Sequence, residues 1–314
     1  MNQKPTRIII DTDPGVDDTM AILLAFQSPE LQIEGLTTIF GNTGTAITTQ
    51  NALRLVELAG RPDVPVAAGA DKPLLRPFTG EGWTVHGRNG LGEVEYPAPA
   101  GTPDPRRAAQ FIVDMVLANP GEITLVPVGP LTNIALAAML EPKIIDLVRE
   151  VVIMGGAAGV SGNVSAVAEA NIHNDAEAAN IVFNAGWQIV MVGLDVTQKT
   201  IMTSAYMEEL KQAGNRYTDF IYAVSRHYAN FHANLGLDGF YVHDSSAIMY
   251  LIDRSLFTTR HAYVDVEYHS PYHRGQTVAD WNGKRKLPPN VHVCVDVDSP
   301  RFLAMYRERL TSLQ

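Results

Sequence analysis

Short apolar runs alternate with amphipathic stretches along most of the chain. Residues 7–10 predict a strand and 18–27 a helix. Residues 32–38 predict a second strand, and 45–59 a helix stopped by Gly60. A strand at 64–67 is followed by a helix at 105–118, for which Asp104 is a suitable N-cap. Residues 123–127 then read as a strand, and 131–140 as a helix closed by Glu141-Pro142. The run 151–154 is apolar throughout, as strands covered on both faces are. A helix at 174–186, opened by a capping-box-like Asn174/Glu177 pair, leads to a strand at 188–192. The last third predicts helices at 204–213, 218–235 and 244–252, and strands at 262–268 and 291–297. Within it, Trp281-Asn282-Gly283-Lys284 suits a type I′ hairpin turn.

Strand, loop and helix in repetition imply βαβ units. The fold class is therefore α/β, an open, mostly parallel (mixed) sheet with flanking helices. The Pro/Gly-rich stretch 97–105 is the best break, and we expect it to be a loop within one domain spanning 1–314. In such sheets ligands sit beyond the carboxyl ends of the strands, so the chemistry should lie in the residues that follow each strand.

Composition narrows the classes. The chain has 314 residues, 46% of them hydrophobic and 18% charged, which excludes a disordered chain. A formal net charge of -10 makes nucleic acid and anionic membrane surfaces poor partners. One cysteine, Cys294, excludes an intrachain disulfide and fits a reducing compartment. No signal-peptide core follows Met1, and no run approaches the roughly 18 apolar residues of a membrane span. These features point to a soluble, cytoplasmic protein.

The richest segment is Asp11-Thr12-Asp13-Pro14-Gly15-Val16-Asp17-Asp18, between the first strand and the first helix. Singly, these aspartates could end a strand or cap a helix. Four together would raise one another's pKa values unless a cation joined them. Carboxylate oxygens without nearby thiols suit a hard ion, Ca²⁺ or Mg²⁺, and Pro14-Gly15 supplies the turn that folds them toward one centre. Other predicted strand ends carry Gly41-Asn42, Val128-Gly129-Pro130-Leu131-Thr132-Asn133 and Met154-Gly155-Gly156, and His243-Asp244 precedes a helix. A Gly/Ala-rich loop carries Asn163, Glu169, Asn171 and Asn174. Asn and Gly at such places are most often turn residues. No glycine pattern of a nucleotide phosphate loop is present.

The segment Asp11–Asp18 resembles the D-x-D-P-G-x-D-D signature of the inosine-uridine preferring nucleoside hydrolase family. Residues 125–135 (LVPVGPLTNIA), 151–156 (VVIMGG), Ala168-Glu169-Ala170-Asn171 and His243-Asp244 resemble four further blocks in the family's order, and the resemblance spans nearly the whole chain. It implies a Rossmann-like nucleoside hydrolase fold and hydrolysis of the N-glycosidic bond of purine or pyrimidine ribonucleosides. It implies Ca²⁺ held by Asp13, Asp18 through both oxygens, the Val128 carbonyl and Asp244. A water held by the ion and activated by Asp13 would attack. Asp17, Asn42, Asn163, Glu169, Asn171 and His243 would contact the substrate, and Met154 would line the sugar. His243 and His86 would assist the departing base, and Asp11 would brace the cluster. Arg88-Asn89 depart from the acidic or serine residues usual beside the His86 position. Phe231, His232, Asn234, Phe240 and Tyr241 could stack on the base or be plain core. The family also implies a homo-oligomer, a tetramer or a dimer. Two rivals remain: a non-catalytic, calcium-dependent nucleoside- or ribose-binding protein, and a phosphatase of the haloacid-dehalogenase type, whose D-x-D Asp11-Thr12-Asp13 superficially matches.

Overall fold

The computed structural model describes residues 4–80 and 82–312; the leader expectation at residues 1–3 lies outside the described residues. Eleven strands follow in chain order: β1 (Thr6–Thr12), β2 (Leu31–Thr38), β3 (Val66–Ala68), β4 (Ile123–Pro127), β5 (Glu150–Met154), β6 (Ile189–Val192), β7 (Ile201–Met202), β8 (Phe240–Tyr241), β9 (Phe257–Val266), β10 (Thr277–Asp280) and β11 (Val291–Val297). Nine of them form one sheet in the order β10-β9-β11-β6-β5-β4-β1-β2-β3, and β7 pairs with β8 apart from it. The stretch from β11 to β3 is parallel, and β9 runs antiparallel to both its neighbours. The expected mixed, mostly parallel α/β sheet is present, and strands from both sides of residues 97–105 belong to it.

The sheet is covered on both faces, which is why its strands are so apolar. In β1, Ile8 and Ile10 enter one core layer and Ile9 the other, the period of two that a strand imposes. The helices Val16–Phe26, Arg216–Asn234, Asp244–Ile252 and Ser299–Thr311 contribute to the first layer. Those at Ala108–Ala118, Thr132–Leu140 and Ala176–Asn184 contribute to the second. Chain order reverses where β1 lies between β4 and β2. Loops leaving those strands diverge there and open a crevice. Among the described residues, no helix is long and apolar enough to cross a membrane.

Three local expectations need correction. Asp104 does not cap the helix, which begins at Ala108 after Arg107. Its carboxylate instead accepts the Arg106 N–H and guanidinium at 2.8–2.9 Å. Asn174 does not open the next helix either. It closes the short helix Ala170–Asn174, and Asp175 caps Ala176–Asn184 by accepting the Ala178 N–H. The residues around Asn282-Gly283 are not a two-residue hairpin. β10 and β11 flank β9 on opposite sides, so their connection crosses over, and Gly283 and Lys286 hold the positive φ angles rather than Asn282.

Candidate active site

The loops after β1, β2, β4 and β5 converge with residues before the helix Asp244–Ile252 on one cavity of about 480 Å³. The first helix starts immediately after β1 because Asp18 can close it: its carboxylate accepts the Gly15 N–H at 3.0 Å. Thr12 and Asn42 also donate to Asp18. Asp18 is thus a helix cap as well as a member of the acidic cluster.

Asp13 is buried, 2% exposed, and is not among the residues that line the cavity. Its Oδ2 accepts the Asn42 N–H at 2.6 Å, while its Oδ1 is buried with no hydrogen-bond partner. Asp17 Oδ1 is likewise buried and unpartnered. Burial pushes Asp13 well above the carboxylate range, and the charge of Asp18 pushes it further. Asp244 is raised in the same way, by burial and then by Asp17 and Asp18. Burial takes Asp17 and Asp18 up to about 6. Asp11 lies deeper and is pushed by burial up to about 7, against hydrogen bonds from Thr37 and Asn133. Those two donors tie β1 to β2 and to the helix Thr132–Leu140.

Crowded carboxylates of this kind favour a cation. Asp17, Asp18 and Asp244 offer oxygens lying within 4.8 Å of one another. The oxygen-only donor set and the two unpartnered carboxylate oxygens fit a hard divalent ion. Val128 lines the same cavity, and its carbonyl accepts the Asn171 amide at 2.9 Å. The geometric trio therefore contains Asp17, which the sequence reading assigned to ribose, and does not contain Asp13, whose Oδ1 is left without a partner.

The other named residues line the cavity: Asn42, His86, Met154, Asn163, Glu169, Asn171 and His243. Several already brace one another. Asn42 bridges Asp13 and Asp18. Glu169 caps Ala170–Asn174 and accepts the Gly156 N–H at 3.0 Å. Asn163 accepts the Ala170 N–H at 3.0 Å. His86 is buried at the end of the one-turn helix Trp83–His86, with Nδ1 accepting the Val16 N–H at 3.2 Å. Arg88 lies over Trp83, and Asn89 accepts the Leu91 and Glu93 N–H groups, so the departing pair pins that loop. Burial pushes His86 down to about 4 and His243 down to about 3, so both rings are neutral near pH 7.

Phe231, His232 and Tyr241 face the cavity, whereas Phe240 is core and Asn234 is exposed. Tyr228, Leu235, Val85, Val164, Asn174 and Gln198 also line it. The Tyr228 ring lies tilted against His86 at 5.2 Å and edge-to-face with His232 at 4.6 Å. Its missed signal is the i, i+3, i+4, i+7 stripe 228, 231, 232, 235, which on a long amphipathic helix looks the same as core.

Glycine at 41 and 129 has a steric cause. A Cβ at Gly41 would overlap Asp13 Oδ2, and one at Gly129 would overlap Asp13 Oδ1. Gly129→Ala should therefore lower kcat by about 100-fold, since a displacement near 1 Å can cost that much, while circular dichroism stays unchanged. Unaltered kcat would show that Asp13 tolerates displacement.

Known proteins resemble the chain over nearly its whole length. The model of the family "Inosine-uridine preferring nucleoside hydrolase" matches residues 8–304. The chain is 42% identical over 309 residues to the inosine-uridine preferring nucleoside hydrolase of Crithidia fasciculata, covering 98% of each. It is 41% identical over 313 residues to a probable uridine nucleosidase 2 of Arabidopsis thaliana, covering 97% of each. A solved plant nucleoside hydrolase superposes with a TM-score of 0.94 at 38% identity, covering 99% of this chain and 100% of that one.

Proposed function

The chain belongs to the inosine-uridine preferring nucleoside hydrolase family, and from that premise we propose how its site works. It is a ribonucleoside hydrolase, an N-glycosidase that releases free base and ribose. Cleaving that bond builds positive charge on the ribosyl ring and negative charge on the base. Asp13, Asp18, Asp244 and the Val128 carbonyl would hold Ca²⁺, with Asp17 beside them. When bound, such a cation grips vicinal hydroxyls and makes a water easier to deprotonate. Asp13 Oδ1 takes the attacking water's proton as general base. The surrounding carboxylates favour the developing ribosyl cation. Asp17, Asn42, Asn163, Glu169 and Asn171 hold the ribose hydroxyls, and Met154 covers the sugar. His86 and His243 donate hydrogen bonds to the departing base.

One observation carries this reading: the buried, unpartnered oxygens of Asp13 and Asp17 belong to an acidic cluster beside a nucleoside-sized cavity with an aromatic wall. From the family resemblance we also propose a homo-oligomeric, cytoplasmic enzyme, a tetramer or a dimer; its one cysteine is buried and free. The test is a panel of inosine, uridine, adenosine and cytidine with their 2′-deoxy counterparts, scored for free base. We expect kcat/KM to fall by about 100-fold or more on losing the 2′-hydroxyl, because its buried partners are then left unpaired. Equal rates on both sugars would refute the ribose grip, and no base release from any substrate would refute the activity.

A further inference from the structure

His243 and His86 both line the cavity, but their second nitrogens are fixed by different partners. His86 Nδ1 faces the backbone N–H of Val16, which can only donate. Its proton must then sit on Nε2. His243 Nδ1 lies 2.9 Å from the hydroxyl of Thr197, which could donate or accept. Thr197 belongs to the four-residue helix Leu194–Thr197 after β6 and is fully buried.

The surroundings of Thr197 decide the direction. A helical threonine usually turns its hydroxyl to the carbonyl four residues back. That carbonyl, Gly193, already accepts the N–H groups of Val196 and Thr197 at 3.1 Å each. The only partner recorded for the Thr197 hydroxyl among the described residues is His243 Nδ1. If Nδ1 carried the proton, a fully buried hydroxyl would keep its own proton unpaired, a penalty worth a factor of about ten or more. If the hydroxyl donates, it and His243 Nδ1 are both satisfied, and the ring's remaining proton is on Nε2 of a residue that lines the cavity.

We propose that Thr197 is a positioning residue that locks His243 in the Nε2–H tautomer, so that its free nitrogen faces the cavity as a donor to the departing base. This rests on His243 serving the base as described above. Among the described residues no protein partner is recorded for Nε2, and the ring borders the cavity. A neutral imidazole in the other tautomer would present a lone pair there, and a lone pair repels the charge that gathers on a leaving base. The same short helix also holds the neighbouring loop, since Asp195 accepts the N–H groups of Ala158 and Gly159 at 2.9 and 2.7 Å. One turn of chain thus orients a ring on one side and the stem leading to Asn163 on the other.

The test compares Thr197→Val, Thr197→Ser and His243→Ala on inosine, uridine and p-nitrophenyl riboside, whose leaving group needs no help. Thr197→Val should lower kcat on the natural nucleosides roughly tenfold or more, with KM and the nitrophenyl substrate changed by less than about twofold. Thr197→Ser should restore it. Equal losses on all substrates, or failure of serine to rescue, would reduce Thr197 to packing. If His243→Ala impairs the natural nucleosides while Thr197→Val does not, Thr197 alone is refuted. If His243→Ala spares them, the underlying role of His243 falls, and the proposal with it. Should Thr197→Val not fold, nitrogen-15 spectra of histidine-labelled wild-type enzyme decide directly. A protonated Nε2 and bare Nδ1 at His243 are expected, and the reverse overturns the proposal.

Discussion

Asp13→Asn should abolish turnover, lowering kcat on inosine or uridine by at least about 1,000-fold, within the 10²–10⁴ range usual for a lost general base and compounded by a lost cation ligand. The substitution keeps the shape of the side chain and removes one charge. Asparagine can still accept the Asn42 N–H, so the loop after β2 should stay in place. Folding should not suffer. Burial and the charge of Asp18 hold the Asp13 pKa well above its unfolded value. A carboxyl raised in this way binds its proton more tightly when folded, so its ionisation above that pKa costs stability. The neutral amide escapes that cost, and the melting temperature without added divalent ion should be unchanged or higher. Activity within tenfold of wild type in a correctly melting variant would remove Asp13 from the role of base.

Stripping divalent ions should also cost at least about 100-fold. We expect prolonged chelation to take activity below about 1%, and Ca²⁺ or Mg²⁺ to restore it where Zn²⁺ does not, because the donors are oxygens alone. Added ion should also raise the melting temperature, by an amount equivalent to about 2.7 kcal/mol at one hundred times its dissociation constant. Asp244→Asn should weaken that rise and shift the restoring concentration upward. Full activity in protein shown by elemental analysis to hold less than about 0.1 ion per chain would end the proposal.

The two predictions depend on features of unequal visibility in the sequence. β1 and its acidic loop were plain, because a buried strand followed by four aspartates conflicts with burial unless chemistry demands it. The sheet was legible for the same reason, through apolar runs of strand length between amphipathic helices. What stayed hidden was short. Trp83–His86 and Leu194–Thr197 are single turns, and β7 and β8 are two residues each, too brief for any periodicity to register. The caps went astray where a neighbour competed. Arg106 captured Asp104, and Asp175 displaced Asn174 while also holding the Leu74 N–H and the Thr132 hydroxyl. The aromatic wall was half visible. Tyr228 and Phe240 lie close together, yet one borders the cavity and the other is core, a difference set by the register of a helix against a two-residue strand.

Gly41 and Gly129 press their bare Cα atoms against the two oxygens of Asp13. Neither position carries a functional group, so inspection for chemistry passes over both. A saturation-mutagenesis map of the enzyme would nonetheless show clear losses at both, since even the single Cβ of alanine overlaps an Asp13 oxygen. Any library built to retune this enzyme for another nucleoside should leave those two codons alone and spend its diversity on the helix stripe at Phe231 and Leu235.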